Sequence, residues 1–567
     1  MPHIPKNAPF SYNQRSWLDG FISGLNATRF MDGGNNLNQV SENKAVMNIL
    51  YGTQTGNAEE LANDAATIAE KRGFQPKITE LDEIDLSLFA QMEHALIVVS
   101  TYGEGEMPDN ANIFWEALSA ESAPKMEKLN YAVLGLGDTS YDEFCQAGKL
   151  IDKRLEQLGA VRMAKRIDCD VDYEEPAALW LDEIIPLSEN PNDENVTHLD
   201  KNVIPLTDNK KSKWSRKNPY SAIMVENRLL SGIGSAKEIR HISFDLGDSD
   251  IKYEAGDSLG IIPQNTPDLV EKILKRTGAK FNDIVKGYDS PVGEVLTNSF
   301  EISTPSKDFI HKIMEQIDSS ELNDSSENHD DLSKFLWGKD ILDLLNLDSN
   351  FKINIETLLT WLKPLQYRAY SISSSPKALK KEVHLTVSAV RWTYNKRVHK
   401  GVASTFLADQ IEAGQTCNIF LSPNKNFRPP KDNQVPMIMV GPGTGIAPFR
   451  AFLQERGATG ATGMNWLFFG DQHKESDFLY EDELKRMQTS GLLDRLDVAF
   501  SRDQTEKIYV QDMMVKQGKA LYSALENGGH FYICGDATRM AKDVEQALID
   551  IIVNHGSFSP ERANEYI

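Results

Sequence analysis

The sequence predicts an α/β multidomain protein: a doubly wound parallel sheet, then an antiparallel β-barrel with a helical insert, then a second, Rossmann-like α/β unit. Three observations predict it. Over residues 45–187, strand-sized apolar runs at 45–51, 95–100 and 131–136 alternate with helical patterns at 57–72 and 148–158, the rhythm of parallel strands joined by crossover helices. Over 219–432, β-rich segments at 221–229, 241–246 and 383–390 flank a mostly helical stretch at about 266–362, which reads as a barrel interrupted by an insert. From about 433 to 567 the strand and helix alternation returns.

The joints between these units have their own signatures. Residues 188–218 are rich in Asn, Asp, Lys and Ser with little apolar content, the composition of a flexible linker. Residues 1–43 hold one amphipathic candidate, in which Trp17, Phe21, Ile22 and Leu25 fall near helical spacing; this suits an assembly or docking segment, a route to a homo-oligomer.

Composition bounds the function classes. With 567 residues, 40% of them hydrophobic and 25% charged, the chain can bury several cores, and its length suggests about three or four domains. Its longest apolar runs are strand-sized, far short of the roughly 20 residues of a membrane helix. The start, Met1-Pro2-His3-Ile4-Pro5-Lys6, lacks the layout of a secretory signal, and Cys145, Cys169, Cys417 and Cys534 are too scattered for a disulfide framework. A reducing cytoplasm is the expected compartment. The net charge of −23 repels nucleic acid and anionic lipid; it serves solubility and can steer a basic protein partner.

The first chemical constellation is Thr53-Gln54-Thr55-Gly56-Asn57-Ala58, between a strand and a helix. Hydroxyls, a glycine and free backbone N–H groups at a helix N-terminus suit a terminal phosphate. Two further loops follow later strands: Ser100-Thr101-Tyr102-Gly103, running on to Glu104-Gly105-Glu106, and Leu136-Gly137-Asp138-Thr139-Ser140-Tyr141-Asp142-Glu143-Phe144-Cys145. Each offers a close backbone approach and an aromatic residue, Tyr102 or Tyr141, to stack on a flat ring. Three such loops at the carboxyl ends of one sheet mark a switch-point ligand site. The set is similar to flavodoxin, which implies bound FMN.

The second constellation is Arg368-Ala369-Tyr370-Ser371, then Thr386-Val387-Ser388, then Gly401-Val402-Ala403-Ser404. A guanidinium fork matches phosphate oxygens, glycine permits close backbone approach, and a serine hydroxyl can donate or accept at a ring nitrogen. The ordered set resembles the FAD site of the ferredoxin reductase family. That resemblance implies Arg368 on the pyrophosphate, Tyr370 against the isoalloxazine, Ser371 near its N5, the 401–404 turn opening onto the pyrophosphate and Trp392 stacking on the adenine. Ser388 stands where that family usually has glycine.

The third constellation begins with Gly441-Pro442-Gly443-Thr444-Gly445 after the buried run at 435–440, a glycine loop that can cradle a pyrophosphate. Ser501-Arg502 and Lys507-Ile508-Tyr509-Val510-Gln511 follow another strand run. Two cations, a serine and a tyrosine so close together suit a phosphate monoester beside an adenine, the feature that separates NADPH from NADH. Cys534-Gly535-Asp536 follows the run at 530–533, with Asp543 on the next helix. A buried core thiol is the ordinary fate of a cysteine, but this strand-end position favours a place in the site; the same family resemblance puts Cys534 beside the nicotinamide.

FMN, FAD and NADPH signals in that order resemble the NADPH-dependent diflavin reductases, and among them the flavoprotein (alpha) subunits of assimilatory sulfite reductase. The closer likeness is carried by Gln14-Arg15-Ser16-Trp17 with Gly20, Tyr102 to Glu106, Asn465-Trp466-Leu467-Phe468-Phe469-Gly470 and the run from Cys534 to Leu548. The resemblance implies a relay from NADPH through FAD and FMN to a haem and iron–sulfur beta subunit that reduces sulfite to sulfide for cysteine biosynthesis, with Ser371 and Cys534 as catalytic residues and no metal on this chain. It further implies a helix and strand beyond the position of Ile567, ending in an aromatic that covers the flavin; with that end missing, Trp392 and Tyr566 are the substitutes to examine. Glu104, Glu106, Asp142 and Glu143 are candidates for an acidic docking face. Cytochrome P450 reductases share the layout but normally carry a membrane anchor. A partner-free NADPH diaphorase or oxidase and an FMN electron carrier are the other readings; the intact Arg368, Ser371 and Ser501-Arg502 argue against the carrier.

Overall fold

The computed structural model describes residues 45–54, 56–103, 105–139, 143–186, 214–317, 322, 329–536 and 539–567. The predicted N-terminal segment and residues 188–213 of the predicted linker lie outside the described residues.

The first sheet is parallel throughout. Val46–Gly52 (β1) lies between Gln75–Glu80 (β2) and His94–Ser100 (β3), and Asn130–Leu136 (β4) follows β3; Val161–Arg162 (β5) and Ile167–Cys169 (β6) both pair with β4. The two-residue alternation of a strand sends Ile49 and Tyr51 into one apolar core and Leu50 into another on the opposite face. Both faces are therefore covered, as parallel sheets require. Because β2 and β3 flank β1 on opposite sides, the loops leaving β1 and β3 diverge and open a crevice at the carboxyl ends.

The second sheet is antiparallel. Tyr220–Leu229 (β7), Glu238–Asp245 (β8), Ser258–Ile261 (β9), Arg368–Ser371 (β10) and Glu382–Ala389 (β11) precede the two-stranded hairpin Arg391–Tyr394 (β12) and Arg397–Lys400 (β13), and Thr416–Ser422 (β14) completes the set. The order is β10-β9-β14-β7-β8-β11, and a bridge between Ile372 and Leu385 joins the two ends into a barrel. Between β9 and β10 run the helices Pro267–Thr277, Val292–Asn298, Lys307–Gln316, His329–Leu336, Ile341–Leu345 and Ile355–Leu359. They bury Ile273, Leu296, Phe309, Leu344 and Leu358 in a core of their own, separate from the barrel core of Met224, Ile242, Phe244, Leu259 and Leu385.

The third sheet is parallel, with Met437–Val440 (β15), Asn465–Asp471 (β16), Arg495–Phe500 (β17) and His530–Ile533 (β18) in the order β17-β16-β15-β18. Every residue of β15 and β16 is buried. Among the described residues no helix is long and apolar enough to cross a membrane.

The flavodoxin-like unit is tied to the barrel by few polar contacts. Lys425 Nζ reaches Glu59 Oε1 at 2.5 Å, and Lys363 Nζ reaches Asp170 Oδ2 at 3.0 Å. A cavity of 1030 Å³ opens along this junction, lined by Trp214, Arg216, Tyr367 and Phe420; of the described phosphate-loop candidates, Gly56 and Asn57 reach it.

Candidate functional site

The loop after β1 is shaped by Gly56, whose φ of 89° favours glycine, at the N-terminus of the helix Asn57–Lys71. Gly56 has no side chain to cap that helix; Thr53 Oγ1 instead accepts from Gly56 N–H at 2.9 Å and, more loosely, from Ala58 N–H at 3.4 Å. Thr53 N–H is held by Asn110 Oδ1 at 2.7 Å, and Gln54 is clasped to Asp109 by two bonds of 2.7 and 2.9 Å. The loop is thus preformed around a helix N-terminus, the geometry that binds a phosphate.

The flanking loops meet it at the same sheet end. Ser100 donates to Gly52 O at 3.5 Å, and Thr101 N–H to Leu136 O at 2.8 Å. Tyr102 is 41% exposed. Gly103 and Gly105 have φ of 53° and 119°. Gly137 could not carry a side chain, since a Cβ there would lie 2.7 Å from Cys145 N. Thr139 donates both its N–H and its hydroxyl to Asp170, at 3.0 and 2.7 Å, and the same carboxylate takes Lys363 from across the junction. Phe144 is half-buried, whereas Ala58, Leu136 and Cys145 are buried. The Cys145 thiol points to Cys169 O at 3.5 Å, and burial pushes its pKa up; what Cys145 offers the site is its left-handed backbone turn, φ 53°. Glu106 and Glu143 are exposed. Thr55, Glu104, Ser140, Tyr141 and Asp142 lie outside the described residues.

On the barrel, Arg368 and Ala369 are exposed and Tyr370 and Ser371 half-buried. The Arg368 guanidinium makes one hydrogen bond among the described residues, to Tyr367 O at 3.1 Å, which leaves its fork for a phosphate. Burial pushes the Tyr370 hydroxyl up to about 12, so the ring is neutral at ordinary pH. Thr386 and Val387 are buried and Ser388 half-buried. Gly401 precedes the short helix Val402–Thr405, but the Ser404 hydroxyl is turned inward, accepting from Val390 N–H at 3.1 Å and donating to Gly401 O at 3.3 Å. Trp392 stacks on His399, centroids 5.5 Å apart, and donates to Gly338 O at 2.9 Å. An adenine would have only its other face.

The third loop is packed so tightly that its glycines are obligatory. A Cβ on Gly441 would lie 2.5 Å from the Phe449 ring, and one on Gly445 2.0 Å from Cys534 O; Gly443 has φ 57°. The contact of Gly445 with Cys534 brings the ends of β15 and β18 together. Ser501 N–H donates to Asp471 O at 2.9 Å, and Arg502 N–H to Gln472 O at 2.9 Å, fixing that loop on the end of β16. Arg502 and Lys507 are exposed; of the two carboxylates between them, Asp503 is drawn off by His473 Nδ1 and Lys474 N–H, both at 2.9 Å, and Glu506 is exposed.

One cavity of 760 Å³ gathers the separate motifs. Ala369, Tyr370, Ser371 and Thr386 of the barrel line it together with Gly443, Thr444, Ser501, Arg502, Lys507, Tyr509, Val510, Gln511, Cys534 and Asp543. Ile508 stands outside it, as do Trp392 and Tyr566; the Tyr566 hydroxyl donates to Glu526 Oε1 at 2.9 Å, on another side of the third sheet. The cavity also holds residues that sequence reasoning missed. Lys237, from the turn between β7 and β8, pairs with the buried Asp471 at 2.5 Å, and Gln472 and Arg539 join the lining. No local motif marks Lys237, whose partner is 234 residues away. Asp471 Oδ2 is buried with no hydrogen-bond partner among the described residues. Cys534 is half-buried, and burial pushes its thiol up to about 11, so it is a neutral donor rather than a thiolate nucleophile.

Comparison with known proteins agrees with this division. Residues 49–180 match the flavodoxin family, 212–406 the FAD binding domain family and 439–546 the oxidoreductase NAD-binding domain family. The chain is 40% identical to the NADPH sulfite reductase flavoprotein alpha-component of Bacillus subtilis over 567 residues, covering 98% of this chain and 93% of that protein. It is 38% identical to the same component of Vibrio cholerae over 561 residues, 98% of this chain and 91% of that one. The alpha-component of Mannheimia succiniciproducens is also 38% identical, over 98% of this chain and 94% of its own length. This chain belongs to the NADPH sulfite reductase flavoprotein alpha-component family. It is an oxidoreductase with the three-part build of a diflavin reductase.

Proposed function

We propose that this chain carries electrons from NADPH through FAD and FMN to a haem and iron–sulfur partner that reduces sulfite to sulfide. One observation carries the reading: strand β10 with Tyr370 and Ser371 opens into the same cavity as the glycine loop, the cations Arg502 and Lys507, and Cys534. A hydride donor on the third sheet and an acceptor on the barrel would meet there. Bound flavin supplies the conversion of a two-electron hydride into single electrons.

In this reading the chain's residues bind, orient and shield. Arg502 and Lys507 hold the 2′-phosphate with Ser501 and Tyr509, Gly443 and Thr444 approach the pyrophosphate, and Asp543 closes the nicotinamide end. Arg368 grips the flavin pyrophosphate, Tyr370 supports the ring, and Ser371 and Cys534 present neutral hydroxyl and thiol groups to the reacting atoms. The loops at 53–58, 100–103 and 136–145 hold FMN, with Asn57 and the neighbouring N–H groups on its phosphate and Tyr102 on its ring. We further take 45–187, 219–432 and 433–567 as the three folding units, with 1–43 serving assembly.

The partner subunit tests the acceptor. Mixed with the haem and iron–sulfur component of a sulfite reductase, the chain should support NADPH-dependent sulfide formation. Reduction of dioxygen or quinones at an unchanged rate, with no sulfide, would favour a partner-free oxidase.

A further inference from the structure

Between the barrel and the third sheet runs a sealed line of polar side chains that begins at Thr386 of the second cofactor motif and continues through residues outside every motif. The bridge between Ile372 and Leu385 and the bond from Ser373 N–H to His384 O, 2.7 Å, set an antiparallel register that stands Ser371 opposite Thr386. Thr386 pairs in turn with His241 on β8. By strand alternation Ser371, Thr386 and His241 share one face of the barrel. Tyr480 comes down onto this face from the other unit: its hydroxyl lies 2.7 Å from Thr386 Oγ1 and 3.0 Å from His241 Nδ1. His241 Nε2 then lies 3.6 Å from Glu226 Oε2, whose side chain is 43% exposed.

The line joins the 760 Å³ cavity, which Thr386 lines, to solvent at Glu226. Its inner members are sealed: Thr386, Tyr480 and His241 are 5%, 8% and 2% exposed. Tyr480 holds this place in a left-handed backbone conformation, φ 57° and ψ 24°, which is costly for a bulky residue and persists only where its surroundings demand it.

We propose that Thr386, Tyr480 and His241 form a proton relay between the hydride-transfer cavity and solvent at Glu226. The inference rests on reading that cavity as the place where NADPH is oxidised. Oxidation of NADPH to NADP⁺ leaves one proton and two electrons, and when the electrons depart singly toward the FMN site the proton remains. Thr386 Oγ1 takes that proton and passes its own to the Tyr480 oxygen. Tyr480 passes its proton to His241 Nδ1, and the Nε2 proton of His241 passes to Glu226 or water. One proton enters, one leaves, and no residue in the line changes charge.

The surroundings of His241 suit a neutral carrier. Burial pushes its pKa down to about 2, helped by Arg450, His384 and Arg228. Arg450 lies over the Tyr480 ring, 4.8 Å from its centroid, and donates to Glu483 at 2.9 Å, Ser373 O at 2.7 Å and His384 Nδ1 at 3.3 Å. A second positive charge beside that guanidinium is disfavoured, so the transfers run in concert rather than through an imidazolium. The required tautomer carries its proton on Nε2, leaving Nδ1 to accept from Tyr480.

Two measurements on the full-length flavin-loaded protein test this. In ¹⁵N-histidine spectra, His241 should be neutral across the working pH range with the proton on Nε2; a proton on Nδ1 would overturn the relay without touching the reading of the cavity. In anaerobic stopped flow with NADPH and ferricyanide, a pH-indicator dye reports proton release beside the electron-transfer trace. In the parent the two traces coincide; in Tyr480→Phe and His241→Gln release should lag electron delivery by at least about tenfold, the low end of what a positioned acid or base contributes. Coinciding traces in both variants, whether at the parent rate or uniformly slowed by a structural defect, reject it. A parent protein that is not reduced by NADPH would instead reject the cavity assignment.

Discussion

Replacing Arg502 and Lys507 together by glutamine should convert a dinucleotide site selective for NADPH into one that scarcely distinguishes it from NADH. Both side chains line the cavity, both are exposed, and of the carboxylates beside them in sequence Asp503 is engaged by His473 and Lys474 at 2.9 Å while Glu506 is exposed. Among the described residues neither cation is in an ion pair, which leaves both for an anion. A hydrogen bond to a charged group contributes about 1.5–3 kcal/mol. At exposed positions solvent reduces this, and about 1–2 kcal/mol each is the reasonable expectation. Two such losses total about 2–4 kcal/mol, or roughly 30-fold to 1,000-fold in KM for NADPH at about tenfold per 1.4 kcal/mol. The interaction is remote from the reacting atoms and equal in ground and transition states, so kcat should change little. Steady-state reduction of ferricyanide with each nucleotide measures it, and KM for NADH should stay within about threefold of the parent. A parent protein that uses NADH as well as NADPH, or a variant that loses both equally, would refute the assignment.

Three further outcomes follow from the geometry. Gly445→Ala places a Cβ 2.0 Å from Cys534 O, so β15 and β18 must part at their ends; NADPH oxidation should be lost while the FMN content of the purified protein is retained. Lys363→Met removes the cation from Asp170, whose other oxygen contacts hold Thr139; FMN dissociation, followed by fluorescence, should speed up by several-fold, about 1 kcal/mol, with FAD retention unaffected. Burial pushes the thiols of Cys169 and Cys534 up to about 11 and that of Cys417 up to about 12. Between the unfolded thiol pKa near ~8.5 and these values the folded state holds more protons than the unfolded one, so stability is intact below that window and falls as pH rises through it. The urea midpoint should therefore be lower at pH ~10 than at pH ~7, and a midpoint that does not move would contradict the burial of these groups.

The parts of the fold legible in the sequence are those whose signal is local. The loops at Thr53–Asn57 and Gly441–Gly445 announce themselves because glycines must stand where a buried strand turns into a helix, and both turns form where expected. Strand β2 was not foreseen because it is an edge strand whose residues are exposed or half-buried, with no apolar alternation to detect. Strands β9 and β14 were missed for another reason: β9 is short, and the two recognise one another across a long insert, with the Phe420 ring lying where any Cβ on Gly260 would be, 2.4 Å away. The candidate nucleotide-site residues stand in the sequence as motifs, but their meeting with Tyr370 and Ser371 in one cavity is a tertiary fact. So is the pairing of Lys237 with Asp471. Trp392 shows the opposite limit: an aromatic read as free for a ligand spends one face on His399 and its N–H on Gly338.

The central claim is that two flavins in separate units are loaded in series from one NADPH site. Anaerobic titration of the purified protein with NADPH, after acid extraction and chromatography of its flavins, addresses it directly. The account predicts equimolar FMN and FAD and bleaching of both by NADPH, with loss of FMN alone leaving NADPH bleaching of FAD intact. A single flavin type in fully loaded protein, or FMN bleached by NADPH in protein stripped of FAD, would contradict it.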